Sequence, residues 1–319
     1  MLNVSCKICS NSLDNKIHSV REMYFGLRDE FDYLECAECR CLQLLNPPAD
    51  YSTYYPKEYF TYQQKVEGKI KSFLNKYRDR VAMGERSLPG SILYKYFGEP
   101  TYINRIRKAN IGFDDSILDV GCGKGILLHK MKESGFNNVV GIDPYLDNDI
   151  FYKNGLKVFK KVIQEIDDKF DFIMFNHSFE HLDNPFETLR QTHKLLNDNK
   201  YTLIRIPVAD SYAWKRYGVN WSSLEAPRHI FLHTKKSVEI LSSKTGFKVD
   251  KVTYDSRSWQ FWGSEQYAKD ISLLADNSYY VNPDKSIFSK EDIAGFEKET
   301  SRLNQIGEGD QAEFYLKKI

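Results

Sequence analysis

The segment Ile117-Leu-Asp-Val-Gly-Cys-Gly-Lys-Gly125 decides the fold of the central part of the chain. A short apolar run ends at an acidic residue, and glycines follow at alternate positions. Glycines permit a tight turn and let a ligand approach the backbone closely, while a helix that begins there offers unpaired N–H groups and its positive dipole end. The segment therefore predicts a strand, a ligand-binding turn and a helix.

The ligand at this turn is predicted to be a nucleoside that carries an amino acid. Asp143 ends the next apolar run, about 20 residues on, where its carboxylate can accept hydrogen bonds from ribose hydroxyls. The glycine spacing is G-x-G-x-G, whereas dinucleotide-binding folds use G-x-G-x-x-G. Asp119 beside the turn would repel a pyrophosphate but suits a cationic amino group, which argues against NAD.

Short apolar runs alternate with amphipathic stretches over residues 116–254, which predicts an α/β fold with a parallel sheet and helices on both faces. The predicted strands are Ile117–Val120, Val139–Ile142, Phe170–Phe175 and Tyr201–Ile206. The predicted helices are Gly125–Ser134, Pro185–Leu196, Lys235–Thr245 and, further on, Lys290–Leu303. The chain ends in a strand-like segment, Ala312–Leu316.

Asp119–Gly125, Asp143 and the segment Lys169–His181 together resemble class I S-adenosylmethionine-dependent methyltransferases, over about residues 100–255. The resemblance implies a seven-stranded Rossmann-like sheet whose last strand is antiparallel, which Phe314–Leu316 can supply. It also implies S-adenosyl-L-methionine as cofactor. By the family pattern the methionine part faces Asp119, Gly121, Gly123 and Gly125, the ribose binds Asp143, and the sulfonium borders Asn176 and His177.

Four of the six cysteines predict a structural zinc site. Cys6 and Cys9 form one C-x2-C pair, Cys36 and Cys39 form another, and 26 residues separate the pairs. Four thiolates complete a tetrahedral zinc shell, with residues 24–33 expected to form a strand pair between the knuckles. Cys41 could replace Cys39 as a ligand, but the C-x2-C spacing of Cys36 and Cys39 matches the other pair, so Cys41 is interpreted as a packing residue. The alternative for the whole set is reduced, buried thiols.

The domain prediction is a zinc ribbon over residues 1–48, a helical linker or cap over 49–110, and a methyltransferase domain with substrate-lid insertions over 111–319. Composition is that of a globular protein, with 41% hydrophobic and 28% charged residues. The sequence contains neither a signal peptide nor an apolar run of about 20 residues, which predicts a cytoplasmic protein without membrane contact. A net charge of +1 does not indicate a nucleic-acid partner.

Three of the seven histidines are candidates for a catalytic base. His177 and His181 follow the predicted strand Phe170–Phe175, and His229 follows the predicted strand Tyr201–Ile206, at the sheet edge where α/β proteins bind ligands. Imidazole is suited to proton transfer near neutral pH. Arg228 is a candidate for binding an acidic or phosphorylated acceptor, and Trp221 for contacting the acceptor.

The acceptor is expected to be a small molecule. The segments Trp221–Phe231 and Gly309–Tyr315 are similar to enzymes of bacterial gene clusters for surface polysaccharides and unusual sugars, which favours a sugar, a sugar nucleotide or a polysaccharide precursor. One alternative is an RNA or protein methyltransferase that uses the zinc ribbon for recognition. Another is a non-catalytic S-adenosylmethionine-binding protein. The sequence predicts neither the acceptor atom nor the oligomeric state.

Overall fold

A computed structural model of the chain describes residues 4–55 and 68–319, which form two β-sheets with helices around them. In chain order the strands are β1 (Lys16–Arg21), β2 (Glu30–Glu35), β3 (Leu42–Leu44), β4 (Ser116–Val120), β5 (Asn138–Ile142), β6 (Ile150–Phe151), β7 (Lys157–Phe159), β8 (Phe170–Asn176), β9 (Leu196–Pro207), β10 (Phe231–Leu232), β11 (Phe247–Tyr254) and β12 (Gln311–Lys318). The described α-helices are Lys69–Ala82, Leu88–Phe97, Thr101–Lys108, Ile126–Ser134, Pro185–Leu195, Tyr212–Tyr217, Lys235–Ser243, Trp259–Ala268 and Lys290–Ile306.

The larger sheet has the order β11-β12-β9-β8-β4-β5-β7-β6. The strands from β9 to β7 are parallel, and β12 runs antiparallel to both β9 and β11. This confirms the predicted α/β fold and the antiparallel strand near the C-terminus. The sheet has an eighth strand because the two-residue β6 adds to its edge, and two residues are too few to show a period in the sequence.

Buried side chains cover both faces of this sheet. Leu118, Ile173 and Ile204 belong to one core cluster, and their chain neighbours belong to another on the opposite face. Successive residues of a strand point to opposite faces, so a strand buried on both sides is apolar at consecutive positions. This explains the continuous apolar runs in the sequence.

The smaller sheet joins the N-terminal segment to the second half of the chain. Its order is β1-β2-β3-β10, and Leu42 of β3 lies opposite Leu232 of β10. The Tyr33 hydroxyl donates to the His229 carbonyl at 2.7 Å, and the Thr234 hydroxyl donates to the Cys39 carbonyl at 2.6 Å. The domain boundary at residue 48 stays a prediction, but the sheet itself extends beyond it.

The predicted linker, residues 49–110, contains three α-helices in its described part, and residues 56–67 of that prediction lie outside the described residues. The prediction of helical character agrees with Lys69–Ala82, Leu88–Phe97 and Thr101–Lys108. Among the described helices, none combines the length and apolar character that crossing a membrane requires.

The strand pair expected over residues 24–33 is displaced, which corrects that prediction. The pair consists of β1 and β2, and the chain from Tyr24 to Leu27 turns between them. The carboxylate of Glu22 holds this turn, because its two oxygens accept the N–H groups of residues 24–27 at 2.9–3.0 Å. Glu22 is fully buried, and its Oε1 lies 3.6 Å from Nη1 of Arg228.

We expect Glu22→Gln to lower the free energy of unfolding by about 3 kcal/mol, because the amide cannot accept all four N–H groups and leaves the Arg228 charge less compensated. The measurement is urea unfolding followed by circular dichroism. Glu30→Gln, at an exposed position of β2, is the matched control and should change stability by less than about 0.5 kcal/mol. Equal stabilities of the two variants would contradict the role assigned to Glu22.

Candidate functional site

The turn after β4 has the backbone geometry that its glycines allow. Gly121, Gly123 and Gly125 have φ angles of 75°, 56° and 72°, in the left-handed region. A Cβ on Gly121 would lie 2.4 Å from the Cβ of Ser178, whose hydroxyl donates to the Val120 carbonyl. A side chain is therefore excluded at Gly121, and the helix Ile126–Ser134 begins directly after the turn.

Asp119 is a buried carboxylate at the end of β4. It is 3% exposed, and its Oδ1 has no hydrogen-bond partner among the described residues. Burial raises the pKa of Asp119 to about 8, against a lowering effect of the Asn176 side chain. Both polar atoms of the Asn176 amide also lack a partner within the described part of the chain. A buried carboxylate without a counter-charge is costly, so this end of the site is suited to a cationic group.

Asp143 lies at the adjacent strand end and connects two loops. Its Oδ2 accepts the N–H of Gly123 at 2.9 Å, and its Oδ1 accepts the N–H of Tyr145 at 2.9 Å. Each carboxylate oxygen has a second lone pair, which can accept a ribose hydroxyl. Burial raises the pKa of Asp143. The residues present thus fit S-adenosylmethionine: Asp119 and Asn176 for the methionine part, the glycine turn for close approach, and Asp143 for the ribose.

His177 directly follows β8 at this edge of the sheet, and its backbone is left-handed with a φ of 53°. Its Nε2 accepts from the Arg205 guanidinium, and its Nδ1 lies 3.4 Å from Oε1 of Glu180. Although 43% of the side chain is exposed, desolvation of the ring and then the Arg205 charge hold the pKa of His177 well below its usual range. With Nε2 occupied by a donor, His177 has no lone pair to offer an acceptor in this arrangement.

His181 and His229 lie side by side, with ring centroids 4.9 Å apart. Nδ1 of His181 is 2.8 Å from the Arg228 carbonyl, and Nδ1 of His229 is 2.9 Å from the Ser223 carbonyl. Burial is the main cause that lowers the pKa of each ring to about 3. Both rings are therefore neutral, with Nδ1–H donating to a carbonyl and the lone pair on Nε2.

Glu180 is a residue of this site that the sequence analysis missed. Its side chain is fully buried, neither carboxylate oxygen has a hydrogen-bond partner in the described residues, and Nε2 of His229 lies 4.0 Å from Oε1. Burial raises its pKa to about 8. The signal in the sequence was its place beside His181, directly after the strand that carries Asn176.

The structure corrects the predictions for Trp221 and Arg228. Trp221 is fully buried and its Nε1 donates to Oδ2 of Asp310 at 3.0 Å, so an acceptor cannot contact the ring in this structure. The Arg228 side chain is buried 4.4 Å above the Tyr24 ring. Its charge faces Glu22 and, at 3.4 Å, Glu225. Internal carboxylates thus occupy the position where an acidic acceptor was expected.

The four predicted zinc ligands come together at the start of the small sheet. The sulfurs of Cys6 and Cys39 are 3.6 Å apart, those of Cys9 and Cys36 are 3.4 Å apart, and all four lie within 4.8 Å of one another. Tetrahedral zinc with Zn–S bonds of about 2.3 Å separates its sulfurs by about 3.8 Å, so the donor set fits. Backbone N–H groups of Ile8 and Cys39 point at the sulfurs, each at 3.4 Å.

Cys41 lies outside this group of four sulfurs. It is fully buried, and its Sγ lies 3.8 Å from Nδ1 of His233 and 3.4 Å from the Leu42 carbonyl. Burial raises the pKa of the Cys41 thiol well above its usual value. These contacts agree with its interpretation as a packing residue.

The strand order of the larger sheet and the glycine turn after β4 are those of an α/β protein that binds a nucleoside at the carboxyl ends of its parallel strands. The chain belongs to the methyltransferase domain family, whose model matches residues 62–252. EEF1A lysine methyltransferase 2 of Homo sapiens is 35% identical over 78 residues, which cover 22% of this chain and 33% of that protein. This chain thus matches about a third of the length of that relative.

Two solved structures are similar at lower identity. A SAM dependent methyltransferase from Archaeoglobus fulgidus is 21% identical with a TM-score of 0.43, and the match covers 72% of this chain and 98% of that one. The cyclopropane synthase MmaA2 from Mycobacterium tuberculosis is 16% identical with a TM-score of 0.43, and the match covers 78% of this chain and 94% of that one.

We expect binding of S-adenosylmethionine to release a proton near pH 7. The raised pKa of Asp119 keeps the carboxyl mostly protonated below about pH 8, and a cationic amino group beside it ionises it, so affinity should rise with pH up to that value. Calorimetry in buffers of different ionisation enthalpy measures the release. Asp119→Asn should bind weakly and release no proton, and a wild-type chain without proton release would contradict the assignment.

We expect Cys36→Ser to lose the bound zinc and to lower the melting temperature by several degrees, because the small sheet connects the two halves of the chain. Metal content by mass spectrometry and thermal unfolding are the measurements. Cys41→Ala, at a buried cysteine outside the cluster, is the control and should retain the metal. Zinc lost from Cys41→Ala but retained by Cys36→Ser would reverse the ligand assignment.

Proposed function

We propose that the protein transfers a methyl group from S-adenosylmethionine to a small hydroxylated acceptor. The observation that carries the proposal is the buried carboxylate of Asp119 at the glycine turn, whose Oδ1 has no hydrogen-bond partner among the described residues. It lies beside the Asn176 amide, both of whose polar atoms also lack a partner in the described part of the chain. Membership of the methyltransferase domain family supports methyl transfer as the reaction. The bound cofactor supplies an electrophilic methyl group on a sulfonium.

The contribution of the protein is alignment and the exclusion of water. Methyl transfer is an in-line displacement, so holding the acceptor oxygen against the methyl carbon provides much of the acceleration. The lone pair of His229 and of His181 is on Nε2, and we assign these two nitrogens to the acceptor side of the site. Because burial lowers the pKa of both rings to about 3, they hold a proton weakly and act by orienting the acceptor group.

A sugar, sugar nucleotide or surface-polysaccharide precursor remains the preferred acceptor. The segments between β9 and β12 contain the helices Tyr212–Tyr217 and Trp259–Ala268, which we assign to the acceptor cover. The rings of Trp259 and Trp262 lie 4.6 Å apart and are only partly buried, so they can stack on a sugar face where Trp221 cannot. The likeness of residues 221–231 to polysaccharide enzymes supports the same acceptor.

Protein lysine is the second candidate acceptor. It is favoured by the name of the human relative, EEF1A lysine methyltransferase 2, which shares 35% identity over 78 residues. The experiment offers labelled S-adenosylmethionine with nucleotide sugars in one arm and with proteins in the other. A gain of one methylene in mass on a nucleotide sugar supports the preferred acceptor, and label only on protein lysine supports the second.

We expect His229→Ala to reduce turnover at least tenfold while leaving cofactor affinity unchanged, because the ring lies on the acceptor side. Asp143→Ala should instead abolish cofactor binding, since the ribose loses its acceptor. His193→Ala is the control: that ring packs against Phe247 at the end of helix Pro185–Leu195, at the opposite edge of the sheet. Calorimetry and methyl-transfer rates separate the two effects, and normal turnover in His229→Ala would remove it from the mechanism.

A further inference from the structure

We propose that Glu180, His181 and His229 form a binding site for a divalent transition-metal ion, separate from the four-cysteine cluster. One ring nitrogen of each histidine and one carboxylate oxygen lie within 4.8 Å of one another. Two imidazoles and one carboxylate are a donor set that borderline dications such as zinc, cobalt and iron(II) accept, with positions left open for a further ligand.

The carboxylate of Glu180 is fully buried, and neither of its oxygens has a hydrogen-bond partner among the described residues, 4–55 and 68–319. Two imidazole nitrogens lie near its Oε1, Nδ1 of His177 at 3.4 Å and Nε2 of His229 at 4.0 Å. A buried carboxylate is stable when paired with a cation or bound to a metal, and a dication among these donors provides that partner.

The two imidazoles are oriented as metal-binding histidines usually are, with Nδ1 held by a backbone carbonyl. Nδ1 of His181 donates to the Arg228 carbonyl, and Nδ1 of His229 donates to the Ser223 carbonyl. Metal-binding histidines almost always donate their other ring N–H in this way, which fixes the tautomer and directs the remaining lone pair. Nε2 of neither ring forms a hydrogen bond in the described part of the chain.

The arginines near Glu180 are already paired with other carboxylates, so the charge of Glu180 is available to bind a metal ion. Arg205, the cation whose charge acts on Glu180, is already paired with Asp255 at 2.8 Å, and Arg228 faces Glu22 at 3.6 Å and Glu225 at 3.4 Å.

Metal bonds of about 2.1 Å place neighbouring donors about 3.0 Å apart in octahedral and about 3.4 Å apart in tetrahedral geometry. The 4.0 Å between Nε2 of His229 and Oε1 of Glu180 must therefore close by roughly 0.6 to 1 Å on binding, and a donor pair at the 4.8 Å limit by more. We assign most of this movement to the Glu180 side chain, because both histidine rings are held through Nδ1.

Aromatic contacts connect the proposed metal site to the end of β5, where Asp143 lies. Oη of Tyr55 lies 3.3 Å from Nδ1 of His181, and the Tyr55 ring is stacked on Tyr145, two residues after Asp143. This role of the ion rests on the proposed function. An ion held by Glu180, His181 and His229 would polarise the acceptor hydroxyl and ease loss of its proton to solvent, so the two imidazoles would act on the acceptor through the ion. The acceptor oxygen would then bond the methyl carbon as the C–S bond breaks, which would release S-adenosylhomocysteine.

The test is a titration of the zinc-loaded full-length protein with cobalt(II), without cofactor or acceptor. We expect one equivalent to bind with the weak visible bands of a nitrogen and oxygen site, and E180Q and H229Q each to weaken binding at least tenfold. H193Q is the matched control and should bind as the wild type does. Circular dichroism verifies folding, and H181Q replaces any variant that does not fold.

Absence of this equivalent, unchanged affinity in both E180Q and H229Q, or intense thiolate-to-cobalt bands would overturn the site. The outcome is independent of the proposed function. Cobalt bound at Glu180 in a protein that methylates no acceptor would leave the metal site standing and refute the reaction. Methyl transfer by a protein that binds no cobalt there would refute the metal site alone.

Discussion

β4 lies between β5 and β8 in parallel register, with Leu118 opposite Val140 on one side and Ile173 on the other. Parallel strands all end at the same edge, so this register brings Asp119, Asp143 and Asn176 to one place although 57 positions separate the first from the last. Close packing of the side chains on both faces against the two core clusters holds the strands in this register.

Asp119 and the glycine turn could be predicted from the sequence because the pattern that identifies them lies within a few consecutive residues. A strand buried on both faces is apolar throughout, and a turn that excludes side chains requires glycine, so β4 and the turn to Gly125 are visible in a single window of sequence. The paired C-x2-C knuckles are equally local. The two-residue β6 carries no such pattern, and the turn at Tyr24–Leu27 depends on a carboxylate whose role no periodicity indicates.

The acceptor side could not be predicted in the same way, because contacts between distant segments determine it. Arg228 has the composition of a ligand-binding residue, but Glu22, some 200 positions earlier, neutralises it. Trp221 is buried because Asp310 provides a partner for its indole N–H. From the sequence alone Glu180 would be expected at the surface. It is buried because the chain around His229 packs over the end of β8.

The strands β3 and β10 pair although they are far apart in the sequence, so β3 lacks this partner while the chain is being translated. Residues 42–44 leave the ribosome long before residues 231–232, so the small sheet has an open edge during most of translation. An unpaired strand edge is a template for association with other chains. The two cysteine pairs both precede β3 and need only residues 6–39, so a metal bound by them can order the nascent N-terminal segment before β10 is made.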